Sequence, residues 1–296
     1  MSLYLGVDFA SIDGNRPIDW AKAKAAGCRF VIIRGTFQDW IDPAWAAEHD
    51  RAYRAGMLVG AYMMPHYGVN GPTVEKQVGV LRKAIGAIGP GFFPPALDVE
   101  FSGGTAKTGR TRAELVELVD QFVIALRDTF GVLPMIYTSA RVWDGQDADS
   151  LNADTIDMTG RAVAGCVPWL ARYPLNYRLP AVGDDASEKA WVESLPRPPV
   201  PKLWGWSLIH QYQGDARWFA GTIGQCDMNR LFDLRAGLGG PGVRWLQRRL
   251  GMPEDNGGMF DTETLSAVVR FQREHGLSAD GIVGPATFSR VAWANP

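Results

Sequence analysis

The chain has 296 residues, enough for one large domain or one large and one small, and its 46% hydrophobic and 21% charged residues exclude a disordered polypeptide. Thirty Lys and Arg against 32 Asp and Glu give a net charge of −2, so no overall basic field holds a polyanion, and nucleic acid is not an expected partner. The longest uncharged stretch, residues 55–74, is interrupted by Pro65, Pro72, His66, Asn70 and four glycines, so no membrane insertion is expected from it.

In chain order, β-rich segments predict eight strands, at 3–9, 30–36, 58–63, 94–100, 134–138, 168–173, 208–212 and 225–229. Helix signals separate several of them. Asp42 reads as an N-cap, with Pro43 in the first helical position and Gly56 as the stop. Thr111 and Glu114 form a capping box ahead of Leu115, Leu118, Val119, Phe122 and Leu126 at helical spacing, and Gly131 ends that run. Alternating strands and helices imply parallel pairing with right-handed crossovers, and eight strands close into a barrel. Residues 174–205 carry six prolines and only a short helical stretch around 186–192, so the outer ring of helices is expected to be incomplete. The fold class is therefore α/β, a modified TIM-like barrel, followed by a small all-α unit.

The run Arg235-Ala236-Gly237-Leu238-Gly239-Gly240-Pro241-Gly242 reads as a hinge and sets domains of 1–236 and 237–296. Beyond it, Leu246-Gln247-Arg248 before Gly251-Met252 is echoed by Phe271-Gln272-Arg273 before Gly276-Leu277, each followed by a threonine on a new helix, Thr264 and Thr287. Together with the N-cap Asp261 this predicts a compact three-helix unit.

The three cysteines, Cys28, Cys166 and Cys226, are far apart and set in apolar runs, which predicts buried thiols rather than a disulfide framework. Four histidines without ligand spacing predict no metal and no cofactor. The first apolar segment begins at Leu3, leaving no room for the parts of a secretion signal, so none is expected.

Asp98, Val99 and Glu100 end the fourth strand. Alternation puts both acids on one face with Cα atoms roughly 6.6 Å apart, close enough for one to hold a proton while the other ionises. Asp8 ends the first strand and Asp227 lies in the last, and in a closed barrel those strands are neighbours. With Tyr62 and Tyr137 at the ends of the third and fifth strands, this describes an acidic, aromatic-lined cleft suited to sugar rings. Metal ligation and structural pairing are the alternatives for the two strand-end acids.

The motifs Gly6-Val7-Asp8, Ile18-Asp19-Trp20, Gly27 to Arg34, Ala55 to Tyr62, Pro95 to Glu100, Pro134 to Thr138, Pro168 to Tyr173, Gln211-Tyr212 and Asp227-Met228-Asn229 resemble, in order, glycoside hydrolase family 25, the Chalaropsis-type lysozymes. The resemblance implies an N-acetylmuramidase that cuts the β-1,4 bond between N-acetylmuramic acid and N-acetylglucosamine of peptidoglycan. It makes Glu100 the general acid and base and Asp98 the residue that orients or stabilises the reacting sugar, with Asp8 and Asp227 completing an acidic floor. It puts Arg34, Tyr62, Tyr137 and Gln211 near the substrate. Two positions depart from the family pattern: Met63 stands where a His often follows the Tyr, and His210 where a Trp usually precedes the Gln. Whether the anomeric configuration is retained or inverted stays open.

The C-terminal stretch, including Asp280-Gly281-Ile282-Val283-Gly284-Pro285-Ala286-Thr287, resembles the type 1 peptidoglycan-binding domain. Such a module raises the local concentration of substrate. A phage endolysin that waits in the host cytoplasm as a monomer is the implied identity. A bacterial autolysin, a secreted lysozyme, a non-catalytic wall-binding protein and a metal-dependent deacetylase or amidase are the alternatives.

Overall fold

The computed structural model describes residues 3–13, 18–101, 104–147, 149–173, 185–216, 226–253 and 258–294, with side chains throughout except at 3, 185–189 and 215–216. Much of the proline-rich region, 174–184, lies outside the described residues, as does Gln225.

The strands are β1 (Leu3–Phe9), β2 (Cys28–Phe37), β3 (Trp40–Ile41), β4 (Leu58–Met64), β5 (Ala96–Asp98), β6 (Met135–Thr138), β7 (Val167–Ala171), β8 (Ile209–Ala216) and β9 (Cys226–Phe232). They form one sheet in the order β1-β9-β8-β7-β6-β5-β4-β2-β3, and a β1–β2 ladder closes eight of them into a barrel. All eight expected strands are present. The ninth, β3, is a short return of β2 above the barrel mouth, paired Thr36 to Ile41 and Phe37 to Trp40.

Pairing departs from the all-parallel expectation at one strand. From β1 through β8 the barrel ladders are parallel, but β9 runs antiparallel to both β8 and β1. Strands β8 and β9 are separated by nine residues, fewer than the dozen or so that a parallel crossover needs, which accords with the antiparallel pairing of β9.

The helices around the barrel are α1 (Trp20–Ala25), α2 (Pro43–Arg54), α3 (Val74–Ile85), α4 (Arg112–Phe130), α5 (Ala140–Asp144) and α6 (Asp185–Ser194). Their ends follow the sequence signals. Asp42 caps α2 by accepting from the Ala44 N–H, and the Thr111–Glu114 box caps α4. Gly131 takes φ of 74° at the end of α4, a left-handed conformation that costs glycine little.

Strand alternation divides the apolar interior in two. Val7, Val31, Ile33, Val59, Ala61 and Leu97 face outward and pack with the helices. Phe30, Ile32, Ala96, Met135, Val167, Ile209 and Leu231 face inward and fill the lower barrel. Gly6 leaves room there for the Phe30 ring, which a Cβ would strike.

The C-terminal unit consists of α7 (Pro241–Arg249), α8 (Thr262–Glu274) and α9 (Pro285–Val291). Its repeat is physical. Gln247 donates to Thr264 Oγ1 (2.9 Å) and to the Met259 carbonyl (2.9 Å), and Gln272 donates to Thr287 Oγ1 (3.0 Å) and to the Ile282 carbonyl (3.0 Å). Each buried amide pins the start of the next helix to the end of the previous one.

This unit closes the lower end of the barrel. Val243, Trp245, Val283, Phe288 and Val291 belong to the same buried cluster as the inward-facing strand residues. Phe288 packs on Phe93 (centroids 5.7 Å) and Trp245 on Trp206 (5.8 Å), and Trp293 Nε1 donates to the Phe92 carbonyl (2.9 Å). The glycine-rich stretch expected as a hinge is itself anchored: Leu234 and Val283 exchange backbone bonds, Gly237 donates to the Phe260 carbonyl, and Gly240 to that of Gly258.

Candidate active site

The upper end of the barrel is built by the next inward-facing position on each strand. Two residues beyond Gly6, Ile32, Gly60, Ala96, Met135, Val167 and Ile209 come Asp8, Arg34, Tyr62, Asp98, Tyr137, Trp169 and Gln211. Because β9 is reversed, its contribution comes from its beginning, Asp227 and Asn229. Sequence reasoning placed Asp227 at this rim on the assumption of a parallel last strand; the antiparallel β9 brings it there by putting Asp227 directly opposite Asp8.

Gln211 is the hub. Its Nε2 donates to Asp8 Oδ1 (2.9 Å) and Asp227 Oδ2 (3.1 Å), and its Oε1 accepts from the hydroxyls of Tyr137 (2.7 Å) and Tyr173 (2.6 Å). Asn229 Nδ2 also donates to Asp8 Oδ1 (2.6 Å), while its Oδ1 accepts from Trp169 Nε1 (2.8 Å). Asp8 is 5% exposed; burial first, then Asp227, pushes its carboxyl well above the usual range, against the pull of the two amides.

Asp98 is equally buried, and its Oδ1 has no hydrogen-bond partner among the described residues. Its carboxyl is raised by burial, then by Glu100 and Asp8, with the Arg34 charge opposing. The Tyr67 hydroxyl donates to the Asp98 backbone carbonyl (2.6 Å) and fixes the strand end. Glu100 stands just beyond β5, half-buried, its carboxyl pushed up to about 7 by burial and then by Asp227, while Arg141 pulls it down. Each acid thus feels at least one other, and each opposes the ionisation of its neighbours.

Of the residues expected near a substrate, Tyr137 and Gln211 are in this network. Tyr62 is half-buried against Trp169 (6.2 Å, edge to face). Arg34 has a structural tie: its Nε donates to Asp42 Oδ2 (2.6 Å), the carboxylate that caps α2, and its guanidinium lies 5.4 Å from the Phe37 ring centroid. It reaches the acids through its charge on Asp98. His210 turns away from the cleft. Its Nδ1 accepts from Arg230 Nε (3.1 Å), its Nε2 meets the Arg172 carbonyl (2.9 Å), and burial pushes its pKa down to about 4, so it is neutral.

Sequence reasoning missed Trp169, Asn229, Tyr173, Tyr67 and Arg141. The first two carried a signal, since Asn229 lies two residues from Asp227 on one strand face and Trp169 shares the inward register of its strand. Tyr67 and Arg141 lie outside the strands, where spacing says nothing about what they approach.

Residues 7–217 match the family described as glycosyl hydrolases family 25. The chain belongs to that family. Residues 239–291 match a putative peptidoglycan binding domain. Among solved structures, the family 25 chain resembles the bacterial lysozyme from Streptomyces coelicolor (20% identity, 77% of this chain and 91% of that one, TM-score 0.56) and a family GH25 lysozyme from Aspergillus fumigatus (21%, 78% and 94%, TM-score 0.59). It also resembles the CTP1L endolysin (14%, 84% and 80%, TM-score 0.51). At these identities the likeness concerns the fold. A 64-residue stretch is 45% identical to part of the zinc D-Ala-D-Ala carboxypeptidase of Streptomyces albus G, covering 20% of this chain and 25% of that protein, so the chain spans about a quarter of the curated relative it matches.

Among the described residues no group of His, Cys, Asp and Glu is arranged to hold a metal ion, and no helix is long and apolar enough to cross a membrane. Cys28, Cys166 and Cys226 are buried free thiols.

Proposed function

We propose that this family 25 glycoside hydrolase is a lysozyme, an N-acetylmuramidase that hydrolyses the β-1,4 bond between N-acetylmuramic acid and N-acetylglucosamine in peptidoglycan. The observation that carries the reading is the gathering of Asp8, Asp98, Glu100 and Asp227 at one end of a family 25 barrel whose chain continues into a peptidoglycan-binding domain.

Glu100 is the proton donor. A carboxyl with a pKa of about 7 is about half protonated near neutrality, and in that form it protonates the leaving glycosidic oxygen; as a carboxylate it then takes a proton from water. Asp98, whose buried Oδ1 has no partner among the described residues, accepts the N–H of the substrate's N-acetyl group and stabilises charge developing on the sugar. Asp8 and Asp227, held by Gln211 and Asn229, raise the acid pKa values and form the floor. The Tyr62 and Tyr137 rings line the wall.

The test is Glu100→Gln, which is isosteric and removes only the proton. Hydrolysis of purified walls should fall by about 10²- to 10⁴-fold with binding retained; near-normal turnover would remove Glu100 from the mechanism. The host-lysis role, with storage in the bacterial cytoplasm before release, is supported by a fold shared with an endolysin and by the wall-binding domain. Lysis on co-expression with a membrane-pore protein, and none without it, is the expected result.

A further inference from the structure

A cleft of ≈ 820 Å³ opens at the lower end of the barrel, between the strand starts and the C-terminal helical unit. Three guanidinium groups line it, Arg29, Arg54 and Arg290, against one carboxylate, Asp280. Asp280 Oδ1 is already occupied by Gln272 Nε2 (2.8 Å) and the Ile282 N–H (2.9 Å). Among the described residues Arg54 has only a solvent-exposed ion pair with Asp50 (3.2 Å), which contributes little. Arg290 is half-buried with no side-chain hydrogen bond or ion pair among the described residues, and its guanidinium packs over Gly91. In a chain of net charge −2 this is a local concentration of positive charge. Beside it Tyr53, 56% exposed, stacks on Phe92 with centroids 5.5 Å apart and planes at 8°, an aromatic platform open to solvent.

We propose that this cleft is a second peptidoglycan site, composed by both domains, that takes a muramyl peptide: a sugar face on Tyr53 and the stem-peptide carboxylates on Arg290 and Arg54. Aromatic faces receive the apolar face of a sugar ring, and a guanidinium receives a carboxylate through paired hydrogen bonds. The proposal rests on the peptidoglycan reading above and gives it a place and a chemistry. The cleft lies at the beginnings of β1, β2 and β4, and the acids lie toward the other ends of the strands: Asp8 is four residues beyond the cleft-lining Tyr4, about 13 Å along β1. One enzyme molecule therefore grips one strand of the wall while cutting another.

The experiment uses full-length Glu100→Gln protein and calorimetric titration with purified disaccharide-tetrapeptide, beside the same disaccharide without peptide. Two binding events are expected for the peptide-bearing probe. Arg290→Glu and, separately, Tyr53→Ala, each added to Glu100→Gln, should weaken one event about tenfold and leave the other alone, with Arg290→Lys, which keeps the charge but loses the paired bonds, falling between Arg290→Glu and the parent. In the otherwise wild-type enzyme these substitutions should leave hydrolysis of short soluble glycans unchanged. A single event, two events insensitive to these variants, or equal Arg290 dependence for the peptide-free disaccharide would overturn the proposal. Should Arg290→Glu fail to fold, Tyr53→Ala on the exposed platform decides. Release of reducing ends by the wild type, measured in parallel, reports the muramidase reading independently.

Discussion

Asp8 and Asp227 face each other across the antiparallel β1–β9 ladder, and one side-chain amide, that of Gln211, donates to both. Both donors and both acceptor positions of that amide are used, so its orientation is fixed. Gln211→Leu removes the one donor that the two opposed carboxyls share, leaving Asn229 still donating to Asp8, and takes away the oxygen that accepts from both tyrosine hydroxyls. It should cost about 1–3 kcal/mol in stability and lower kcat by more than tenfold. Thermal melting and kinetics on soluble glycans check this; an unchanged kcat would show that Asp8 and Asp227 are not part of the machinery.

The raised pKa of Glu100 has two consequences of definite sign. Activity requires the protonated acid, so kcat should decline as pH rises through about 7. Stability moves the same way. The folded state binds more protons than the unfolded state between the ordinary glutamate value of 4.5 and about 7, so the contribution of this group is fully present below 4.5 and is lost as pH rises through 7. Glu100→Gln escapes that loss and should melt higher than the wild type at pH 8, by an amount that shrinks toward pH 4. A pH-independent difference in melting temperature would contradict the assigned shift.

Trp169 reaches the acids through one intermediary. Its indole N–H bonds Asn229 Oδ1 and so turns the Nδ2 toward Asp8. Trp169→Phe keeps most of the ring and removes the donor. A fall in kcat of about tenfold with KM unchanged is expected, because the amide is then free to turn its oxygen to the carboxylate. A change in KM alone would assign Trp169 to substrate contact.

Much of this site was legible because it follows strand periodicity. Asp8, Tyr62, Asp98 and Tyr137 are inward positions at strand ends, and alternation points them together once the barrel closes. The reversed β9 was not legible, since the length of a connection decides between parallel and antiparallel return and its residues carried no turn signature. Arg34 was named for the substrate on family likeness, yet it is tied to Asp42, a long-range partner that no local pattern reveals. The hinge reading of 235–242 failed for a related reason: glycines permit both flexible tethers and tight turns, and the buried faces of Val283 and Phe288 are what select the docked form.

That docking predicts cooperative unfolding. Phe288 is fully buried between Phe93 of the barrel and Trp245 of its own unit. Phe288→Ala should cost about 3–5 kcal/mol and lower one melting transition shared by both domains. Calorimetry resolving two transitions, only one of them displaced, would show that the helical unit is an independent appendage.

The most direct test of the account is the identity of the sugar at the new reducing ends when purified peptidoglycan is digested and read by mass spectrometry. The account predicts N-acetylmuramic acid at those ends with the wild type and essentially none released by Glu100→Gln. N-acetylglucosamine at the reducing ends, or undiminished release by the variant, would contradict it.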